Sequence, residues 1–401
     1  MNQTNEDRFI ITSGERKFSY AMIGVGVLSL LIGVILAFTG GHIWAGKVWI
    51  ALLANSLFFL GLALTGMFFI TSHQLALGGW YVVFRRVPEA MSQYLPVAGL
   101  LMLPIIIGMW THSHHLYHWA DPEAVAHDAL IRGKTGFLNP SFFTLRYVIY
   151  FGLWILLALL WRKASLKEDM EGGVKYYKKR MKYSAIFTVV FAVTSSTMAW
   201  DYLMSIDTHW YSTLYGWYVF MSFLVAGIAA MILIITYLKS RSYLPAVNSE
   251  HLHDLGKYLF GFSVFWTYLW FSQYMLIWYG NIGEETIYFK SRMEHYPFLF
   301  YFMIVINFVV PFFALMTRDA KRKIPSLVII SVLLLFGHWL DFYLMIAPGA
   351  SANEVHFGFF ELGLTAGYFG LFLLVVFRAL AQARLSPVKD PFYKESLEHH
   401  T

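Results

Sequence analysis

Ten apolar stretches, each about 20 residues or longer, divide this 401-residue chain, and they leave very few folds open to it. They run over Phe18–Phe38, Val48–Ser72, Met91–Thr111, Phe142–Arg162, Tyr183–Met204, Leu214–Tyr237, Tyr258–Tyr279, Tyr296–Met316, Pro325–Ile346 and Val355–Leu380. At 1.5 Å per residue, about 20 helical residues cross a hydrocarbon layer of about 30 Å. Lipid offers no partner for a bare peptide group, so each stretch predicts an α-helix. The expected class is an all-α polytopic membrane protein, with one ten-helix domain over residues 18–380. Polar tails at 1–17 and 381–401 flank it. The first apolar run is longer than a signal-peptide core and reads as an uncleaved anchor.

Charge placement orients the chain. Of 30 Lys and Arg, 24 fall in the two tails and the gaps after helices two, four, six and eight. The other 6 are Lys47, Arg132, Lys134, Arg146, Lys290 and Arg292. By the positive-inside rule both termini are expected to be cytoplasmic, and an even number of crossings, which puts them on one side, agrees with that. The net charge of +6 is therefore no nucleic-acid signal. Its densest run, Lys175–Arg180, is accounted for by anionic lipid headgroups. With no cysteine, disulfides, thiolate-held iron–sulfur clusters and cysteine-attached haem are excluded from this chain. Helix two is expected to continue through Gln74–Leu77 to Trp80. The tail from Ser386 is expected on the surface or against a partner.

A faint repeat links helices five and nine. Trp200-Asp201-Tyr202-Leu203-Met204 parallels Trp339-Leu340-Asp341-Phe342-Tyr343-Leu344-Met345, with one residue inserted on each side of the acid. Four helices separate the copies. Helices two to five and six to nine are thus expected to form two four-helix bundles in parallel orientation, with helices one and ten peripheral.

Charges within the spans are few: Arg146, Asp201, Asp341 and Glu361, all in the outer halves, with Lys257 at a cytoplasmic edge. An ionised group near a helix centre costs about 2.5–3.5 kcal/mol to insert, so each implies a partner or a wet cavity. One reading is an Arg146 salt bridge to an Asp that locks two helices together. The other is a proton path of Asp201, Asp341, His338, Arg146 and Glu361, with Asp207 and His209 at its outer mouth. His338 and Asp341, three apart, share a helix face. Ser184, Thr188, Thr194, Ser195 and Thr197 could wire water toward Asp201, although membrane hydroxyls commonly bond their own helix carbonyls. Only His73 and His338 lie in or beside the spans, at opposite depths, so a bis-His haem stack is not expected. The outer-loop histidines, His112, His114, His115, His118 and His127, could bind metal, but His112, His114 and His115 lack the paired helical spacing of a strong site.

Two long segments, Ser196–Thr213 and Ser272–Thr286, resemble the NrfD-like membrane subunits of bacterial alternative complex III, a quinol:cytochrome c oxidoreductase. His338-Trp339-Leu340-Asp341 and the run from His356 to Glu361 add to the likeness. Ten spans and a length near 400 match the smaller of its two NrfD-like subunits. Gly283 departs from the proline that many relatives carry there. The resemblance implies a multi-pass subunit of the bacterial inner membrane, without a catalytic residue of its own. Its implied partners are a multihaem cytochrome, an iron–sulfur peripheral subunit, the paralogous NrfD-like subunit and, in some assemblies, a terminal oxidase. Haems and iron–sulfur clusters would sit in those partners, and quinone stays open as a ligand. A stand-alone secondary transporter and a purely structural anchor are the alternatives.

Overall fold

The computed structural model of the chain describes residues 8–39, 42–350 and 357–400. Ten long helices carry the fold: α1 Ser13–Thr39, α2 His42–Leu75, α3 Leu95–Trp110, α4 Pro140–Glu171 and α5 Val174–Tyr202. They continue as α6 Tyr215–Ser240, α7 Ser249–Gly280, α8 Pro297–Ala314, α9 Ile324–Ala350 and α10 Phe359–Ala381. Val355 and His356, placed in the last span and its motif from the sequence, lie outside the described residues.

Nine helices among the described residues are long and apolar enough to cross a membrane. α7 is not in that set, because Trp and Tyr crowd its length, yet its 32 residues extend about 48 Å. Phe9, just before α1, packs on Tyr243 after α6 and on Phe377 near the end of α10. Both ends of the helical body therefore meet on one face, here the terminal face. Only an even number of crossings allows that, so α7 supplies the tenth.

Local chemistry sets the helix ends. Thr12 and Glu15 form a reciprocal capping box at α1, and the Asn139 side chain accepts from the Phe142 N–H at 2.8 Å to start α4. Gly172 and Gly173, both with positive φ, make the tight turn between α4 and α5. α2 stops short of the length expected from its sequence. Leu77 adopts a left-handed conformation, and the Gly78 N–H closes back on the His73 carbonyl at 2.9 Å.

The helices assemble as two rings of four. In bundle one α2 packs on α3 and α5, and α4 on the same two. In bundle two α6 packs on α7 and α9, and α8 on the same two. The bundles join along α2 and α6, where the Thr65 hydroxyl donates to the Phe223 carbonyl at 2.9 Å. Only a glycine at 227 admits that approach, since a Cβ there would lie 2.3 Å from the Thr65 Cβ. α1 and α10 pair outside the bundles, with Gly26 against Gly367 so closely that a Cβ on Gly26 would reach 2.3 Å from the Gly367 Cα.

One further local expectation needs correction. Lys175–Arg180 is not a loop but the first turns of α5, where Lys175, Lys178 and Lys179 are exposed and Arg180 is fully buried. The tail from Ser386 lies on the surface, one of the two places expected for it, and straps the terminal face. Lys389 donates to the Met170 carbonyl at 2.6 Å, Ser396 to the Trp80 carbonyl at 2.6 Å, and His399 meets Asp254 at 2.9 Å. That strap connects bundle one with α7 of bundle two.

Candidate functional site

In bundle one, Asp201 lies in the last turn of α5 and faces Arg146 in the second turn of α4. The guanidinium grips it through two bonds, Nε to Oδ2 at 2.8 Å and Nη2 to Oδ1 at 2.7 Å. The Tyr150 hydroxyl adds a third donor at 2.8 Å. Arg146 also donates to the Phe137 carbonyl at 2.9 Å and lies over the Phe137 and Phe142 rings. Every polar atom of this pair is engaged, and its charge is internally balanced. Three of the hydroxyls below it are engaged, whereas Thr188 Oγ1 is buried without a partner among the described residues. Thr194 accepts from the Trp154 indole at 3.0 Å and donates to its own helix at Val190, while Thr197 donates to Val193. Ser184 accepts from Trp161 at 3.1 Å. Two tryptophan indoles thus bind to hydroxyls along α5.

Bundle two treats its acid differently. Asp341 is buried on α9 and has no ion pair among the described residues. Neutral donors surround it: the Tyr218 hydroxyl, Ser222 Oγ at 2.8 Å and the Trp266 indole at 3.0 Å. Ser222 Oγ lies 3.1 Å from His338 Nδ1 too, so serine bridges acid and imidazole. One tautomer satisfies the set with Asp341 ionised: Ser222 donates to the carboxylate and accepts from Nδ1–H, leaving His338 Nε2 bare.

That Nε2 has no hydrogen-bond partner among the described residues, nor do Ser263 Oγ, Ser331 Oγ and both amide atoms of Asn307. These side chains sit on α7, α8 and α9 and are almost wholly buried. Asn307 occurs where α8 loosens into a π-turn over Val305–Val309, a distortion frequent at functional sites. It can sit beside α9 because residue 337 is glycine: a Cβ there would lie 2.0 Å from the Asn307 Oδ1. Buried polar atoms left without a partner mark positions where water belongs. On the other side of Asp341 a cavity of about 20 Å³ is bounded by Tyr215, Tyr218, Gln273, Tyr288 and Arg292, room for about one water.

The residues grouped by sequence as one outer cluster therefore occupy separate sites. Asp201 and Arg146 are in bundle one, Asp341 and His338 in bundle two. Glu361 caps the first turn of α10, accepting from the Gly358 N–H at 2.8 Å, with the Lys47 ammonium at 3.5 Å. Asp207 lies 3.4 Å from Arg292, which also donates to the Leu344 and Met345 carbonyls and so belongs to bundle two. His209 pairs at 2.6 Å with Asp128 on the exposed outer loop. Two backbone N–H bonds, chiefly that of Ile131, together with His209 hold the Asp128 carboxyl below its usual range. Among the described residues no three His, Asp or Glu side chains converge as metal ligands.

A second ionic site, at the terminal face, went unrecognised in the sequence. Arg85 meets Glu168 at 3.2 Å and Asp390; Arg180 meets Glu168 at 2.8 Å and Asp390 at 2.7 Å. Arg86 pairs with Glu89 at 2.7 Å and with Asp169, and Arg162 with Glu89 at 2.9 Å. Four guanidinium groups thus balance four carboxylates under the C-terminal strap. Burial pushes the Asp390 carboxyl up, but Arg85 and Arg180 outweigh it and hold the group below the usual carboxylate range. A visible signal existed, since Arg85, Arg86 and Glu89 precede helix three with almost no polar spacer.

The fold defines a multi-pass membrane protein of two parallel four-helix bundles flanked by a helix pair. No family model matches the chain, and no match is found among curated proteins.

Proposed function

We propose that this chain is a non-catalytic subunit of a quinol-oxidising respiratory complex, of the smaller NrfD-like (ActF) type in alternative complex III, and that bundle two carries protons within it. Membership of the complex rests on the resemblance of Ser196–Thr213 and Ser272–Thr286 to those subunits. Haems and iron–sulfur clusters then belong to the multihaem cytochrome and the peripheral partner, beside the paralogous membrane subunit. The basic terminal face is the cytoplasmic one, in the bacterial inner membrane.

The proton role rests on one observation: among the described residues Asp341 is buried without an ion pair, whereas Asp201 is matched by Arg146. A buried carboxyl without a counter-ion is the group that gains most by taking up a proton. The relay conserves charge at each step. A proton arriving at His338 Nε2 releases the Nδ1 proton to Ser222, whose own proton passes to Asp341. Release from Asp341 proceeds past Tyr218 and the small cavity toward Arg292 and Asp207. Asp341→Asn should lower the protons released per quinol oxidised in sealed vesicles and leave the subunit assembled. An unchanged proton yield in an assembled Asp341→Asn complex rejects this role.

The π-turn at Asn307, halfway along α8, favours a second reading as a stand-alone carrier, since broken helices serve substrate sites in transporters. Purification separates the two. A carrier emerges alone, and a respiratory subunit emerges with haem proteins.

A further inference from the structure

An apolar cleft of about 790 Å³ separates the α1–α10 pair from the bundles, independent of the acid in bundle two. α2, α6 and α9 form its inner wall, and α1 and α10 its outer wall. Along α10 it extends from Leu362 to Phe377, about 22 Å at helical rise. One leaflet of hydrocarbon is about 15 Å deep, so the cleft passes the middle of the membrane. Its volume falls in the range of about 300–1,000 Å³ typical of small-molecule sites.

The two ends differ chemically. At the far end Trp339 and Thr365 spend their donors on Asn55 Oδ1, at 3.0 and 2.8 Å. Among the described residues no donor is left there for a carbonyl head group such as a quinone's. The charged lining groups, Glu15 and Arg241, both lie at the terminal-face mouth. Glu15 is occupied by its capping bonds to Thr12 and by the Tyr237 hydroxyl. The Arg241 side chain is exposed and makes no ion pair among the described residues, and exposed Arg16 and Lys17 stand beside Glu15 on α1. Among the described residues, Arg241, Arg16 and Lys17 outnumber Glu15 at the mouth of an apolar slot longer than a leaflet. A phosphate on a long acyl chain complements both.

We propose that the cleft is a structural lipid site that holds one anionic glycerophospholipid, its phosphate at Arg241 and one acyl chain between α10 and the bundles. The test uses the full-length chain, purified in mild detergent with whatever subunits accompany it. Wild type should retain one more phospholipid per chain than Leu233→Trp or Ala366→Phe, which fill the cleft, by native mass spectrometry. Phosphatidylglycerol titrated into delipidated protein should raise its melting temperature, with an affinity about fivefold weaker in Arg241→Gln, the weight of one basic residue at an anionic surface. Arg241 is exposed, so that variant keeps the fold. Equal lipid retention in wild type and both filled variants overturns the proposal. So does recovery of a quinone in place of the phospholipid, or an equal response of Arg241→Gln to phosphatidylglycerol.

Discussion

Asp390→Asn tests whether the C-terminal strap is a counter-ion or a passive tail. The Asp390 side chain is 2% exposed and touches Arg85 and Arg180, both wholly buried. With it the site holds four cations and four anions; without it one guanidinium charge is unmatched and Arg85 and Arg180 share Glu168 alone. Removing one partner of a buried pair costs about 3–5 kcal/mol, because the remaining charge stays desolvated. That is two to nearly four powers of ten in the folding equilibrium. Unfolding in mixed micelles, followed by tryptophan fluorescence, measures it. Adding Arg180→Met should recover a large part of the loss, since charge balance returns. The sign with pH is defined as well. The Asp390 carboxyl is held low in the folded state, so its contribution is full above the unfolded value of about 3.9 and is lost as pH falls through the lower folded value. The gap between wild type and Asp390→Asn should then close in acid. A variant within about 0.5 kcal/mol of wild type at neutral pH, the spread of ordinary surface changes, would refute the counter-ion reading.

Asp201→Asn should destabilise bundle one by about 3–5 kcal/mol, because it strands Arg146, and Arg146→Leu/Asp201→Leu together should restore most of it; additive losses in the same unfolding assay would count against the locking role. Gly26→Leu should separate α1 from α10, as its side chain would enter the Gly367 backbone. A chain without native cysteines reports this cleanly: the disulfide yield of Ser29→Cys/Gly363→Cys should fall in the Gly26→Leu background, and an unchanged yield removes the close-packing argument.

Much of the architecture was legible in the primary structure. Runs of apolar residues, basic gaps and the Trp–Asp repeat describe the environment of each segment one at a time, and hydrocarbon forces an unambiguous answer from each. The even crossing number followed from those runs, and the parallel repeat anticipated the two rings. Where local rules met a local exception the reading slipped. Leu77 ended α2 early through a left-handed turn, and Lys175–Arg180 joined α5 because Gly172 and Gly173 complete the preceding turn.

The sites are another matter. The sequence by itself determined which rare polar groups the membrane must accommodate: Asp201, Asp341, Arg146, His338 and Glu361. It could not say which of them meet, because partners lie far apart in the chain, from Arg146 and Asp201 to Lys47 and Glu361, and are chosen by packing. Arg146 found Asp201, 55 positions away, while Asp341 found only hydroxyls and an indole. Asn307 became important only when Gly337 let its amide lie against α9, and Asp390 only when the tail folded back over Arg85. Hydrophobicity is a property of a segment and reads locally, whereas charge compensation is a property of pairs and is decided by the three-dimensional fold.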